Sequence, residues 1–362
     1  MLKAIRSLIR FLPLLTFLLL TPASSDAASL SDDLYSFQVL VGKDLIILPC
    51  TFERMRTAGW SYAGNEGELL RPEQRTVSSS WEKNGVLLSG EMVNTSWDVL
   101  PVKSCVLGAV ELTQSAADVL LPGGIRLGTA FANEVVDAYG MPTSVYEGED
   151  AFQYTYHLDY DQEAVFTFSA STGVMHGVSL RNVVMTAAPS PTALEGGPAD
   201  YAYRAPDSMG DGPLSLTVSY GGALYRLPAP VAAFVHNGWA LQDGADRAVK
   251  AYGSEQLTLS LNGLTWTTWV YNDSDKAALA ADCLVTTVVA DGRNSLPLLL
   301  PGSITVGTGE AEMLAAYGNL AHQVTETDTS RRYVFPAGGG QVTLSVSLPN
   351  GLVSRIEASS TP

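Results

Sequence analysis

Charge, histidine and cysteine are all in short supply. Only 16% of the 362 residues are charged, and the chain holds four histidines and three cysteines. Few charges with 46% hydrophobic residues exclude intrinsic disorder over most of the length. Basic residues are outnumbered, 21 against 37 acidic ones, which sets the net charge at −16. No basic cluster offsets this locally, so phosphate backbones and anionic headgroups are repelled and nucleic acid is excluded as a partner. Acidity is also a common solubility device of exported proteins and does not by itself identify a cationic ligand. None of the histidines stands in HExxH or paired at ligand spacing, which argues against the familiar zinc sites. There is no G-x-S-x-G elbow, P-loop or strand-borne G-x-G-x-x-G. Acidic residues are plentiful and mostly in loops, so no carboxylate pair can be nominated for glycoside chemistry. No catalytic, cofactor-binding or metal residue is nominated, no cofactor is expected, and a non-enzymatic role is favoured.

Long apolar runs are missing too, with one exception. Phe11 to Leu20 is apolar apart from Pro13 and Thr16, follows Lys3, Arg6 and Arg10, and precedes the small residues of 21–28. This reads as a signal peptide over residues 1–27, cut after Ala23 or Ala27. An uncleaved anchor is the other reading, but the run falls short of the roughly 20 residues a span needs. No cysteine follows it to carry a lipid. The mature chain is therefore expected to be secreted or extracytoplasmic, without a transmembrane segment. Cutting after Ala27 removes three cations and Asp26, which takes the charge from −16 to about −18.

What the chain has in abundance is turns, with 33 glycines and 19 prolines, and they recur in order. Leu121-Pro122-Gly123-Gly124-Ile125 through Tyr139-Gly140 returns as Leu300-Pro301-Gly302-Ser303-Ile304 through Tyr317-Gly318. Pro49 matches Pro228, Gly59-Trp60 matches Gly238-Trp239, and Asn84-Gly85 matches Asn262-Gly263. Asn94 matches Asn272, Cys105 matches Cys283, Tyr154 matches Tyr333, and Gly173 matches Gly351. An ordered series at nearly constant offset is the mark of an internal duplication. The expected organisation is a first repeat over 35–186, a Pro/Gly-rich linker over 187–213 that Tyr201 and Tyr203 could dock onto a domain surface, and a second repeat over 214–362.

Each copy reads as a β-hairpin, a short helix opened by its proline, and a second hairpin turning at Asn-Gly. A strand through the matched cysteine follows (Ser104 to Leu112; Asp282 to Ala290). Next come the Leu-Pro-Gly turn with a threonine N-cap and one principal helix, and then three closing strands. Val165-Phe166-Thr167-Phe168 alternates as a sheet with one wet face does. Phe131, Val135 and Tyr139 form the helix stripe to be buried on that sheet. The fold class is α+β: two tandem copies of a mainly antiparallel sheet module with one short helix packed on it.

Several residues carry alternatives. An odd cysteine count in an oxidising compartment leaves at least one thiol unpaired. A Cys50–Cys105 disulfide is the natural pairing, and buried free thiols are the other reading. The run His157-Leu158-Asp159-Tyr160-Asp161-Gln162-Glu163 gathers oxygens that calcium favours, but a solvated turn fits better. Asn94 and Asn272 stand in N-x-S sequons at matched positions, and a shared turn asparagine explains them more cheaply than a glycan. Trp81, Trp97, Trp266 and Trp269 do not match one for one. Core or cross-strand packing is favoured over a ligand-facing surface. A Gly-rich turn feeding a helix suggests an anion cradle, but the hinge that folds each helix onto its sheet is the better reading.

Leu121 to Pro142, with the Leu48-Pro49-Cys50 and Gly59-Trp60 signatures, resembles segments of exported proteins and lipoproteins of clostridial-type Firmicutes that carry no established activity. More broadly it is similar to helix-on-sheet modules of the β-lactamase inhibitor protein and BamE/SmpA type. The second copy departs at Gly318-Asn319-Leu320, which lacks the proline. The resemblance implies a binding or envelope role. The expectation is an exported, non-catalytic protein that engages a protein or cell-wall component. The alternative is an envelope hydrolase with its site in one copy or between the two.

Overall fold

The computed structural model describes residues 30–77, 79–114, 118–194, 196, 203–210, 212–292 and 297–361. The expected signal peptide lies outside them, as does Tyr201. Antiparallel sheets dominate and few helices are present, so the fold is α+β. Among the described residues no helix is long and apolar enough to cross a membrane. The hydrophobic side chains gather into two separate clusters, one drawn from Leu34 to Leu180 and the other from Leu216 to Ala358.

The same succession of elements builds both halves. In the first, strands Gln38–Val41 and Asp44–Ile47 form a hairpin, and helix Phe52–Thr57 follows. Strands Ser79–Lys83 and Val86–Val93 form the second hairpin, with Asn84 and Gly85 at positive φ in its turn (52° and 80°). Strand Val106–Thr113 joins that hairpin to the closing strands Ala151–Asp159, Gln162–Ser169 and Met175–Asn182 in one sheet. In the second half the equivalent sheet is divided. The predicted strand Asp282 to Ala290 is interrupted at Thr286, which leaves Leu284–Val285 in one five-stranded sheet and Thr287–Asp291 in another.

The principal helices Ala132–Tyr139 and Glu310–Tyr317 pack on the closing strands. Tyr139 stacks on Phe166 with centroids 5.7 Å apart, and Tyr317 meets Phe335 edge-on at the same 5.7 Å. Each tyrosine hydroxyl also donates to the carbonyl of the turn proline that begins the motif, Pro122 or Pro301. The Leu-Pro-Gly turn is thus tied to the far end of its own helix.

Three expectations need correction. Pro49 and Pro228 do not open helices. Each follows a cis peptide bond, and Thr51 caps the first helix by accepting from Arg54 N at 3.3 Å. The principal helices start at Ala132 and Glu310 rather than after a threonine cap. Thr308 Oγ1 accepts from Thr305 N inside the turn, and Glu134 instead accepts from Phe131 N at 2.7 Å. Phe131 is not on the buried stripe: it is extended, bridges Val174 and is 46% exposed, whereas Val135 is fully buried.

The halves meet through equivalent loops. Asn94 and Asn272, both buried, donate from Nδ2 to the backbone of their own halves. Asn94 reaches Leu70 O (2.8 Å) and Asp98 O (2.7 Å); Asn272 reaches Val249 O (3.2 Å) and Lys276 O (2.7 Å). The loops these asparagines brace touch across the junction. Asp98 receives Lys276 Nζ at 3.1 Å and Ala277 N at 2.7 Å, and Val99 N donates to Asp275 O at 2.9 Å. Arg71 lies over the Tyr252 ring at 4.5 Å, while Lys250 pairs with Glu73 and lies over Trp97 at 5.3 Å. Of the expected linker, Gly196 N donates to Ala277 O (3.1 Å) and the Tyr203 hydroxyl accepts from Arg226 N (3.2 Å). At these two points the segment touches the second half, while Ala187, Pro189, Ala193 and Leu194 lie beside Ser96, Trp97 and Asp98 of the first.

Candidate functional site

The two halves share the order of their elements, and one place where they differ lies beside the first hairpin turn. In the first half an open cleft of 450 Å³ lies between the turn of the first hairpin, the turn of the second, and Trp60. Val41 and Val86 give it apolar walls, and Lys43, Asp44, Lys83, Asn84 and Asp118 give it polar ones. Lys83 Nζ donates to Asp44 Oδ2 at 2.6 Å and to Ala58 O at 2.5 Å, and both side chains of this pair are about three-quarters buried. Asp118 pairs with Arg126 outside the cleft.

At the equivalent place in the second half the space is filled. Tyr220 stands where Val41 does, stacked on Trp239 (5.3 Å) and edge-on to Trp266 (4.9 Å). Leu261 stands where Lys83 does. A Cβ added at Gly221 would fall 2.5 Å from Leu261 Cδ2 and 2.9 Å from Trp239 Cζ2, whereas one added at the equivalent Gly42 would meet nothing within 4 Å.

A tryptophan exchange across the second hairpin contributes to this difference. In the first half Trp81 faces Leu88 across the strands; in the second Leu259 faces Trp266. Both halves bury one tryptophan and one leucine at this pair, on opposite strands. Trp81 packs toward Phe52 (4.8 Å) and Tyr62 (5.0 Å), away from the first hairpin turn, while Trp266 packs against Tyr220 and Trp239. This explains why these tryptophans do not match in sequence, and it places both in the core as expected. Trp97 sits at the junction, and Trp269 is 51% exposed.

A second, larger cleft of 930 Å³ opens at the junction of the halves, with Arg71, Glu73, Gln74, Tyr252 and Asp275 along its walls. Arg71 and Glu73 already serve the inter-half contacts with their side chains, and Asp275 does so through its backbone carbonyl.

The other residues that the sequence singles out lie elsewhere and do not converge on either cleft. All three cysteines are buried free thiols. The Cys50–Cys105 disulfide is not formed, because the register sets Cys50 opposite Leu107. Cys105 lies just before the paired strand and is not opposite Cys50. The thiols of Cys105 and Cys283 donate to the carbonyls four residues earlier, Pro101 (3.5 Å) and Leu279 (3.2 Å). Burial pushes Cys105 up to about 11, and burial with Asp282 and Asp273 pushes Cys283 up to about 12, so neither is a nucleophile near neutral pH.

The acids of 157–163 are dispersed on a hairpin end. Asp161 pairs with Arg75 at 2.7 Å, Glu163 lies near His157 and Arg181, and Asp159 receives Tyr160 N. Among the described residues no group of three or more His, Cys, Asp or Glu is placed to hold a metal. The sequon asparagines have their amide nitrogens committed to backbone carbonyls, in keeping with the turn role. No protein-family model matches the chain, and no curated protein matches it either.

Proposed function

We propose that the chain consists of two tandem copies of one α+β module and acts outside the cytoplasm as a non-catalytic binding protein. Its partner in this reading is a protein or a cell-wall component, taken up at the first-copy cleft. The signal-peptide character of residues 1–27 supports the location. The recurring order of elements, with positive φ at Asn84 and Asn262 and at Glu73 and Tyr252, supports the duplication. The observation that carries the binding reading is the asymmetry of one scaffold position, open and polar over Trp60 but filled over Trp239.

An envelope hydrolase with its site in one copy would also need such an asymmetry. The chemistry of the walls favours binding instead. Among the described residues they present no serine, threonine, cysteine or histidine, and Asp44 is neutralised by Lys83. A carboxylate so paired is a poor general base at the pH where it must act.

The test is to incubate the full chain with isolated cell-wall material and envelope proteins, and to examine both the retained and the soluble fractions. A component retained and recovered chemically intact supports binding. Soluble fragments that accumulate with time, and do so only with the folded chain, support the hydrolase.

A further inference from the structure

We infer that the first-half cleft takes a small organic monoanion, a carboxylate carried on an apolar ring or chain. This rests on the reading of that cleft as a binding site and specifies what it binds. In a chain of net charge −16, the cleft is a place where cationic donors stay available. Asp44 is neutralised by Lys83 and Asp118 by Arg126. Lys43, exposed at the hairpin turn, has no hydrogen-bond or ion-pair partner among the described residues, so its charge is uncompensated at the rim. An ammonium has three N–H donors. Lys83 spends two of them, on Asp44 and the Ala58 carbonyl, and keeps one.

Lys43 and Lys83 both line this cavity, so a carboxylate in it has two ammonium groups within its walls to bond, and charge-assisted bonds of this kind are the strong ones. A cation would meet the Lys43 charge, and the two wall carboxylates are already paired with Lys83 and Arg126. The body of the ligand is set by the remaining walls. The half-buried Val86, with the edges of buried Val41 and Trp60 beside it, gives an apolar lining, and a cavity of 450 Å³ is within the range used for small-molecule sites. The second half shows what the position looks like without a ligand to accommodate. Lysine, valine and aspartate at 83, 41 and 44 are there leucine, tyrosine and alanine, at 261, 220 and 223.

The experiment is a titration of the ¹⁵N-labelled full chain with benzoate, and in parallel with benzylamine, the same ring bearing the opposite charge. Benzoate is expected to give saturable shifts of the Gly42 and Lys43 amides and the Trp60 indole N–H, with little effect at Gly221 and Trp239. Benzylamine is expected to leave them unmoved. Lys43→Glu, an exposed change that cannot disturb the core, is expected to weaken benzoate by about tenfold or more. Val41→Tyr with Asp44→Ala and Lys83→Leu, which installs the second-half residues without leaving the Asp44 carboxylate unpaired, is expected to abolish the shifts while the amides of the second half keep their wild-type positions. Benzylamine binding as well as benzoate would overturn the anion assignment and leave the cleft as a binding site of another class. Benzoate shifts that are absent, scattered over both halves, or unchanged by Lys43→Glu would overturn the inference altogether.

Discussion

Asp98 and Lys276 occupy the same position in the two halves and pair with each other, Nζ to Oδ2 at 3.1 Å. The contacts beside them obey the same rule. Arg71 and Lys250 are equivalent, as are Glu73 and Tyr252, and Arg71 covers Tyr252 while Lys250 pairs with Glu73. An interface in which residue i meets j and j meets i is the isologous pattern of a twofold dimer, here enclosed in one chain. A first prediction follows from it. Asp98→Lys sets two ammonium groups against each other and should lower the thermal midpoint. Adding Lys276→Asp should recover part of the loss, because the charge pair returns while the Ala277 N–H bond to Asp98 does not. The coupling should be about 0.5–1 kcal/mol, given that both groups are partly exposed. Additive effects in a double-mutant cycle would show the pair contributes nothing.

The braced loops make a second prediction. Asn94→Ala and Asn272→Ala each remove an amide that holds buried carbonyls in place, and each should cost about 1–3 kcal/mol in thermal or denaturant unfolding. Since both amide nitrogens are enclosed, production in a glycosylating host should add no glycan mass at either sequon. A glycan at Asn94 on folded protein would contradict the loop geometry.

The cysteines give a third. Buried thiols with raised pKa values should not react with a thiol reagent in the native protein at pH 8, and all three should react once it is unfolded without reductant. One reactive thiol on unfolding would mean that a disulfide had formed.

Glu310 allows a pH test. The Tyr333 hydroxyl at 2.6 Å, followed by Arg331 at 2.7 Å, holds its carboxyl below the ordinary value. A depressed carboxylate stabilises the fold above the ordinary carboxylate range, and that contribution fades as pH falls through the lowered value. Glu310→Gln should therefore lower stability at pH 7 by under about 1 kcal/mol and match wild type near pH 2. A deficit that grows on acidification would reverse the sign and refute the assignment.

Much of the fold could be read from residues whose backbone leaves little choice. Asn84-Gly85 and Asn262-Gly263 both sit at positive φ in hairpin turns, and the Pro-Gly turns and their tyrosines recur because each tyrosine holds its proline carbonyl. Local signals misled where the residue that carried them was already held by another contact. Thr308 is spent on Thr305, so the helix cap moves on, and Phe131 is drawn off the helix face by its bridge to Val174. The cleft was illegible for a related reason. It depends on positions where the halves differ, namely Val41 against Tyr220, Lys83 against Leu261, and a tryptophan that changes strand between Trp81 and Trp266. A search for matched residues passes over these. Only the cross-strand register reveals that one tryptophan fills a core position in both halves while leaving the hairpin turn open in one.

Whether the protein meets its partner at the first-half cleft can be decided by one comparison. Retention of cell-wall and envelope components on the immobilised full chain is set against retention on Val41→Tyr/Asp44→Ala/Lys83→Leu, with both proteins folded at the assay temperature. A component held by the wild type and lost from the variant is the expected result. Equal retention by both would place the binding surface elsewhere and contradict the assignment of the cleft.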